Sequence, residues 1–149
     1  MNIKCINASA LYLATLRAIY FIYQQDHWLN KGNNFYGNHL LFQRLYENTL
    51  SDIDITAEKL VGLFDGKPIE YKLQTELLNK VLKSYDNSDI FENAIKIEKD
   101  FIKLSKDLYL LLNEEHYLTL GLDNMIMAIS DNHEKNLYLL KQTMGKNEK

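Results

Sequence analysis

Helix breakers are scarce in this chain, and that scarcity limits what it can fold into. Among 149 residues there is one proline, Pro68, and there are six glycines. Between these breakers lie long stretches in which apolar residues recur at three- and four-residue steps, the period of a core-facing helix. Leu11, Leu13, Ala14, Leu16, Ala18 and Ile22 mark the first stretch, which the periodicity places at about 7–30. Asn30-Lys31-Gly32 stops it, and Asn33 or Asn34 can cap a second helix over about 35–64. Asp65-Gly66-Lys67-Pro68 then closes that helix with two strong breakers.

From 69 to 87 the pattern weakens, and Leu73, Leu77, Leu78, Val81 and Leu82 support only a short helix inside a long connection. A third long helix is expected from Asn87 or Ser88 to Glu114, with Asp89 and Glu92 in its first turn, where the dipole favours acids. After a break at 117–121, a fourth is expected over about 122–144, stopped by Gly145. A single domain spans 1–149, with 1–6 and 145–149 expected as flexible tails. Four long helices with a long crossover between the second and third describe an all-α, ferritin-like four-helix bundle carrying a short extra helix in that connection.

Composition narrows the function classes. The 46% hydrophobic and 25% charged content is that of a soluble globular protein. A net charge of −3 provides no global positive field to recruit nucleic acid. The lone Cys5 excludes an internal disulfide and fits a cytoplasmic setting. No uninterrupted run of about 18 apolar residues predicts a membrane span, and no basic stretch followed by an apolar one predicts a signal peptide.

The chemistry concentrates between residues 27 and 58. His27 and His39 stand twelve residues apart, and Asp54 and Glu58 follow at i and i+4 on one face of the second helix. Imidazole nitrogen mixed with carboxylate oxygen suits iron, manganese or zinc. His39 and Asp54 are separated by fifteen residues, roughly 22 Å along a helix, although both point within roughly 60° of the same side. One metal cannot reach both ends of that rod. An antiparallel second copy of the helix, crossing near Tyr46 and Asn48, would bring His39 of one subunit to Asp54 and Glu58 of the other. The residues therefore predict a two-fold homodimer with two equivalent shared sites.

This constellation resembles the Dps miniferritins, ferritin-like proteins associated with iron oxidation and DNA protection. The resemblance is carried by His27-Trp28, Lys31-Gly32, Phe35, His39, Phe42, Tyr46, Asp54-Ile-Thr-Ala-Glu58 and Gly66-Lys67-Pro68. It extends to the last helix, HEKNLYLLKQTMG, with Tyr138 where Trp is usual. It implies a hollow dodecamer that oxidises Fe(II), typically with hydrogen peroxide, and stores ferric mineral under oxidative stress. His27 and His39 would ligate iron from one subunit, and Asp54 and Glu58 from its neighbour. Other divalent metals can occupy such a site. Trp28 would lie beside it, as packing or as a local electron donor, and Asp123 falls where the family lines its pores with acids. Gln43 departs from the pattern, standing where an acid is usual. A neutral amide is a poorer ligand for a hard cation, so one of the two iron positions is expected to be weakened.

A ferritin-type site inside one bundle needs Glu-x-x-His, and no Glu here has His three residues later. Two histidines draw no metal role from the sequence. His116 reads as a helix-end or surface residue, and His133, within Asp131-Asn132-His133-Glu134, reads as part of a charged helical face. DNA binding is not favoured, because the N-terminal MNIKC carries one lysine and the acidic balance repels phosphates. The rival functions are a ferritin-like shell whose oxidation is weakened or lost through Gln43, and a DNA-compacting shell.

Overall fold

Polar side chains decide where three of the helices begin. The structure, a computed structural model, describes residues 2–145. Its helices are α1 (Ile3–Leu29), α2 (Phe35–Phe64), α3 (Tyr71–Leu82), α4 (Ile90–Glu114) and α5 (Leu120–Met144), with a 3-10 turn at Lys67–Ile69. Asn2 caps α1 by accepting from the Cys5 amide (3.1 Å) while its own amide donates to Glu115 (2.7 Å). The helix therefore starts earlier than the apolar periodicity suggests. Residues 2–6 are not a tail, since Cys5 and Ile6 are buried in the core. Thr119 likewise moves the start of α5 forward to Leu120, its hydroxyl accepting from the Leu122 amide (3.0 Å). Asp89 caps α4 through the amides of Phe91 and Glu92. Gly145 ends α5 at φ 69°, a left-handed conformation suited to glycine. The remainder of the expected C-terminal tail, 146–149, lies outside the described residues.

Helix directions follow from which residues meet. Tyr12 packs on Phe101 while Tyr23 reaches Ala94 and Glu98, so α1 runs antiparallel to α4. Asp52 meets His133 while Phe64 meets Tyr117, so α2 runs antiparallel to α5. With hairpins joining α1 to α2 and α4 to α5, α2 and α4 must point the same way. The chain consequently travels the length of the bundle between them, and the 3-10 turn and α3 make that crossing. Buried Gln74 fastens α3 to α1, donating to the carbonyls of Ala10 (3.0 Å) and Pro68 (2.8 Å) and accepting from Arg17 Nε (3.2 Å). The result is the expected ferritin-like bundle with its extra helix in the long connection.

α1 is the central element. By length and composition it would suffice to cross a membrane, although no uninterrupted apolar run marks it. Here α2, α3 and α4 surround it, and fourteen of its 27 residues are buried. A helix that is apolar on every side is what such a central position requires.

Candidate metal centre

The end of α1 and the start of α2 hold the two histidines against each other. Their rings stack with centroids 3.7 Å apart and planes 16° from parallel. His27 Nδ1–H donates to the His39 carbonyl and His39 Nδ1–H donates to the His27 carbonyl, each at 2.7 Å. A carbonyl oxygen can only accept, so each Nδ1 must carry a proton, and each ring keeps Nε2 as its open nitrogen. That is the tautomer of a metal-ligating histidine oriented by a backbone carbonyl. Asn30, the buried C-cap of α1, braces the arrangement by donating to the carbonyls of Asp26 (2.9 Å) and His27 (3.2 Å). Burial pushes the neighbouring Asp26 carboxyl up to about 7.

Asp54 and Glu58 are both exposed on α2. Glu58 borders a shallow depression with Ile55, Lys59, Gly62 and Leu63. Within the single chain, among the described residues, no three His, Cys, Asp or Glu side chains come together to hold a metal ion. The structure thus brings the two histidines together and leaves the two acids further along the same helix. Gln43 lies one turn beyond His39, its amide donating to Glu47 (3.0 Å). Asp123 is half-buried in the first turn of α5, where its carboxylate raises the pKa of the Tyr109 phenol on α4. Trp28 is 62% exposed.

The bundle interior holds a polar cluster that the sequence reading missed. His133 is fully buried, not part of a solvated face as its charged neighbours suggest. Its Nδ1 donates to Glu98 (2.7 Å) and its Nε2 to Asp52 (3.0 Å), while Tyr23 donates to the other Glu98 oxygen (2.7 Å). One proton on each ring nitrogen makes this an imidazolium between two carboxylates. Burial lowers its pKa, but Glu98 and Asp52 outweigh that and raise it to about 9. The signal was available, because His133 falls on the stripe Leu122, Ile126, Ile129, Asn136, Leu140. With both ring nitrogens donating to carboxylates at hydrogen-bond distance, His133 serves as an internal clamp between α2, α4 and α5.

Comparison with known proteins agrees with this architecture. The family model described as a ferritin-like domain matches residues 12–149. General stress protein 20U of Bacillus subtilis (strain 168) is 29% identical over 148 residues, covering 97% of this chain and all of that protein. Dps from Thermosynechococcus elongatus superposes with a TM-score of 0.83 at 22% identity, covering 97% of this chain and 92% of that one. A zinc-soaked Dps from Listeria innocua superposes with a TM-score of 0.77 at 20% identity, covering 95% of this chain and 97% of that one. The chain belongs to the ferritin-like family, and its fold is that of the Dps proteins.

Proposed function

We propose that this protein is a Dps-type ferroxidase and iron store, working in the cytoplasm as a homo-oligomeric shell of twelve subunits. Fe(II) is its substrate. It binds at two-fold interfaces, with His27 and His39 supplied by one subunit and Asp54 and Glu58 by the next, where antiparallel α2 helices cross near Tyr46 and Asn48. Neutral imidazoles accept Fe(II), and the carboxylates stabilise the added charge of Fe(III). Two Fe(II), one hydrogen peroxide and two protons yield two Fe(III) and two waters, and the ferric product enters the shell as mineral. Asp123 is the candidate acid on the entry route.

The observation that carries this reading is the reciprocal histidine lock. Both rings present Nε2 in the ligating tautomer, while the acids that would complete the site lie too far along α2 to join them in the same subunit. Peroxide-driven Fe(II) oxidation, followed by ferric absorbance, tests it with Asp54→Ala/Glu58→Ala as comparison. The reading expects oxidation well above buffer in the intact protein and its loss in the variant. Oxidation no faster than buffer in both contradicts it. That outcome supports the second reading, a shell without ferroxidase activity, which Gln43 favours by being neutral and engaged with Glu47.

A further inference from the structure

The two histidines are the middle of a longer column of rings. Tyr20 stacks on Tyr46 (centroids 5.6 Å, planes 27° apart), and Tyr46 on His27 (5.4 Å, 23°). His27 stacks on His39, and His39 on Phe35 (5.1 Å, 27°). The column therefore runs Tyr20, Tyr46, His27, His39, Phe35, with Tyr20 and His27 from α1 and the other three from α2, and only its first two members have an oxidisable phenol. Trp28 stands outside it, 62% exposed. Tyr46 and Tyr20 are half-buried, and Gln24 donates to the Tyr20 oxygen at 3.3 Å.

We propose that Tyr46, backed by Tyr20, gives peroxide its second electron when a single Fe(II) is held at the histidine pair. The inference rests on the ferroxidase reading above. Hydrogen peroxide needs two electrons to become water, and one Fe(II) supplies one. Gln43 brings no negative charge to a second iron position, so a site holding one Fe(II) precedes the fully loaded one. A lone Fe(II) with peroxide would otherwise release hydroxyl radical beside its own ligands. Tyr46 is in ring contact with the ligand His27, and electron transfer through that contact removes the hazard.

The step balances as Fe(II), Tyr46 phenol, hydrogen peroxide and one proton giving Fe(III), Tyr46 phenoxyl radical and two waters. The O–O bond and the phenol O–H bond break. One electron comes from iron and one from Tyr46. The phenol proton and one solvent proton pass to the departing oxygens. Tyr20 can share the hole, and a later Fe(II) with a proton restores the phenol.

The test uses the assembled protein, loaded anaerobically with one Fe(II) per subunit and mixed with equimolar hydrogen peroxide. Freeze-quenched samples are read by electron paramagnetic resonance, and parallel samples carry a hydroxyl-radical spin trap. The proposal expects ferric iron together with an organic radical whose spectrum narrows in protein grown on ring-deuterated tyrosine. Tyr46→Phe, which keeps the ring, should abolish that radical and raise spin-trap signal several-fold. Ferric iron without a tyrosine radical overturns the proposal and leaves the ferroxidase reading standing. So does a radical that narrows with deuterated tryptophan, or one that persists in Tyr46→Phe. No ferric iron above buffer overturns both.

Discussion

A single proton at His133 illustrates how much the core asks of one residue. Two carboxylates, Asp52 and Glu98, face the ring from α2 and α4, and Tyr23 completes the cluster from α1. Without the imidazolium the two acids would be unpaired in an apolar interior, so His133→Ala should cost about 3–5 kcal/mol. The pH dependence has a definite sign. The folded pKa, about 9, lies above the ordinary 6.5. This stabilisation is therefore complete below about pH 6.5 and lost as pH rises through 9. Thermal unfolding of the intact protein should show a falling Tm between pH 6.5 and 9.5, and His133→Gln should flatten that slope. An equal slope in both would remove the proton from the account. His27 and His39 were legible because their chain spacing matched a ligand pattern. His133 was not, because its neighbours Asp131, Glu134 and Lys135 dominate a local reading, whereas burial is set by the stripe it shares with residues one and two turns away.

At the scale of elements, sequence periodicity located the helices and capping chemistry set their ends. α2 came out at Phe35–Phe64 because breakers flank it on both sides. The starts of α1 and α5 were misplaced because a single polar side chain, Asn2 or Thr119, extends a helix beyond its periodic apolar residues. The ring column was invisible for a different reason. Tyr20 and His27, like His39 and Tyr46, are seven residues apart, a spacing that puts each pair on one face. Only the docking of α1 on α2 turns two such faces into one stack. The crossover depends on Gln74, whose amide satisfies two carbonyls from different segments and accepts from Arg17. Gln74→Ala would take the donor from the Pro68 carbonyl and the acceptor from Arg17 Nε, a loss of about 1–3 kcal/mol. Urea denaturation should show a lower midpoint at unchanged slope, because the surface exposed on unfolding stays nearly the same. An unchanged midpoint would show that the crossover is held by apolar contacts alone.

At the scale of the whole molecule, one chain contains every proposed ligand and still cannot assemble the site. The histidine pair is organised at one end of the α1–α2 hairpin, and Asp54 and Glu58 are exposed further along α2. Fifteen residues of straight helix separate His39 from Asp54, roughly 22 Å that no side chain spans. Exposed Trp28, Leu29, Tyr36, Leu40 and Leu50 on the same two helices provide apolar surface for a second copy. A two-fold arrangement doubles every contact, so one orientation of the partner would complete two sites at once.

Complementation between defective subunits tests that shared site most directly. His27→Ala/His39→Ala protein and Asp54→Ala/Glu58→Ala protein would be unfolded together, reassembled as a mixture, and assayed for peroxide-driven Fe(II) oxidation. Each mixed dimer contains one site with all four ligands and one with none. A site shared between subunits predicts that either variant alone is inactive and that the mixture regains part of the intact protein's rate. Two inactive parents giving an equally inactive mixture, with mixed oligomers shown by mass spectrometry to have formed, would contradict a site shared between subunits.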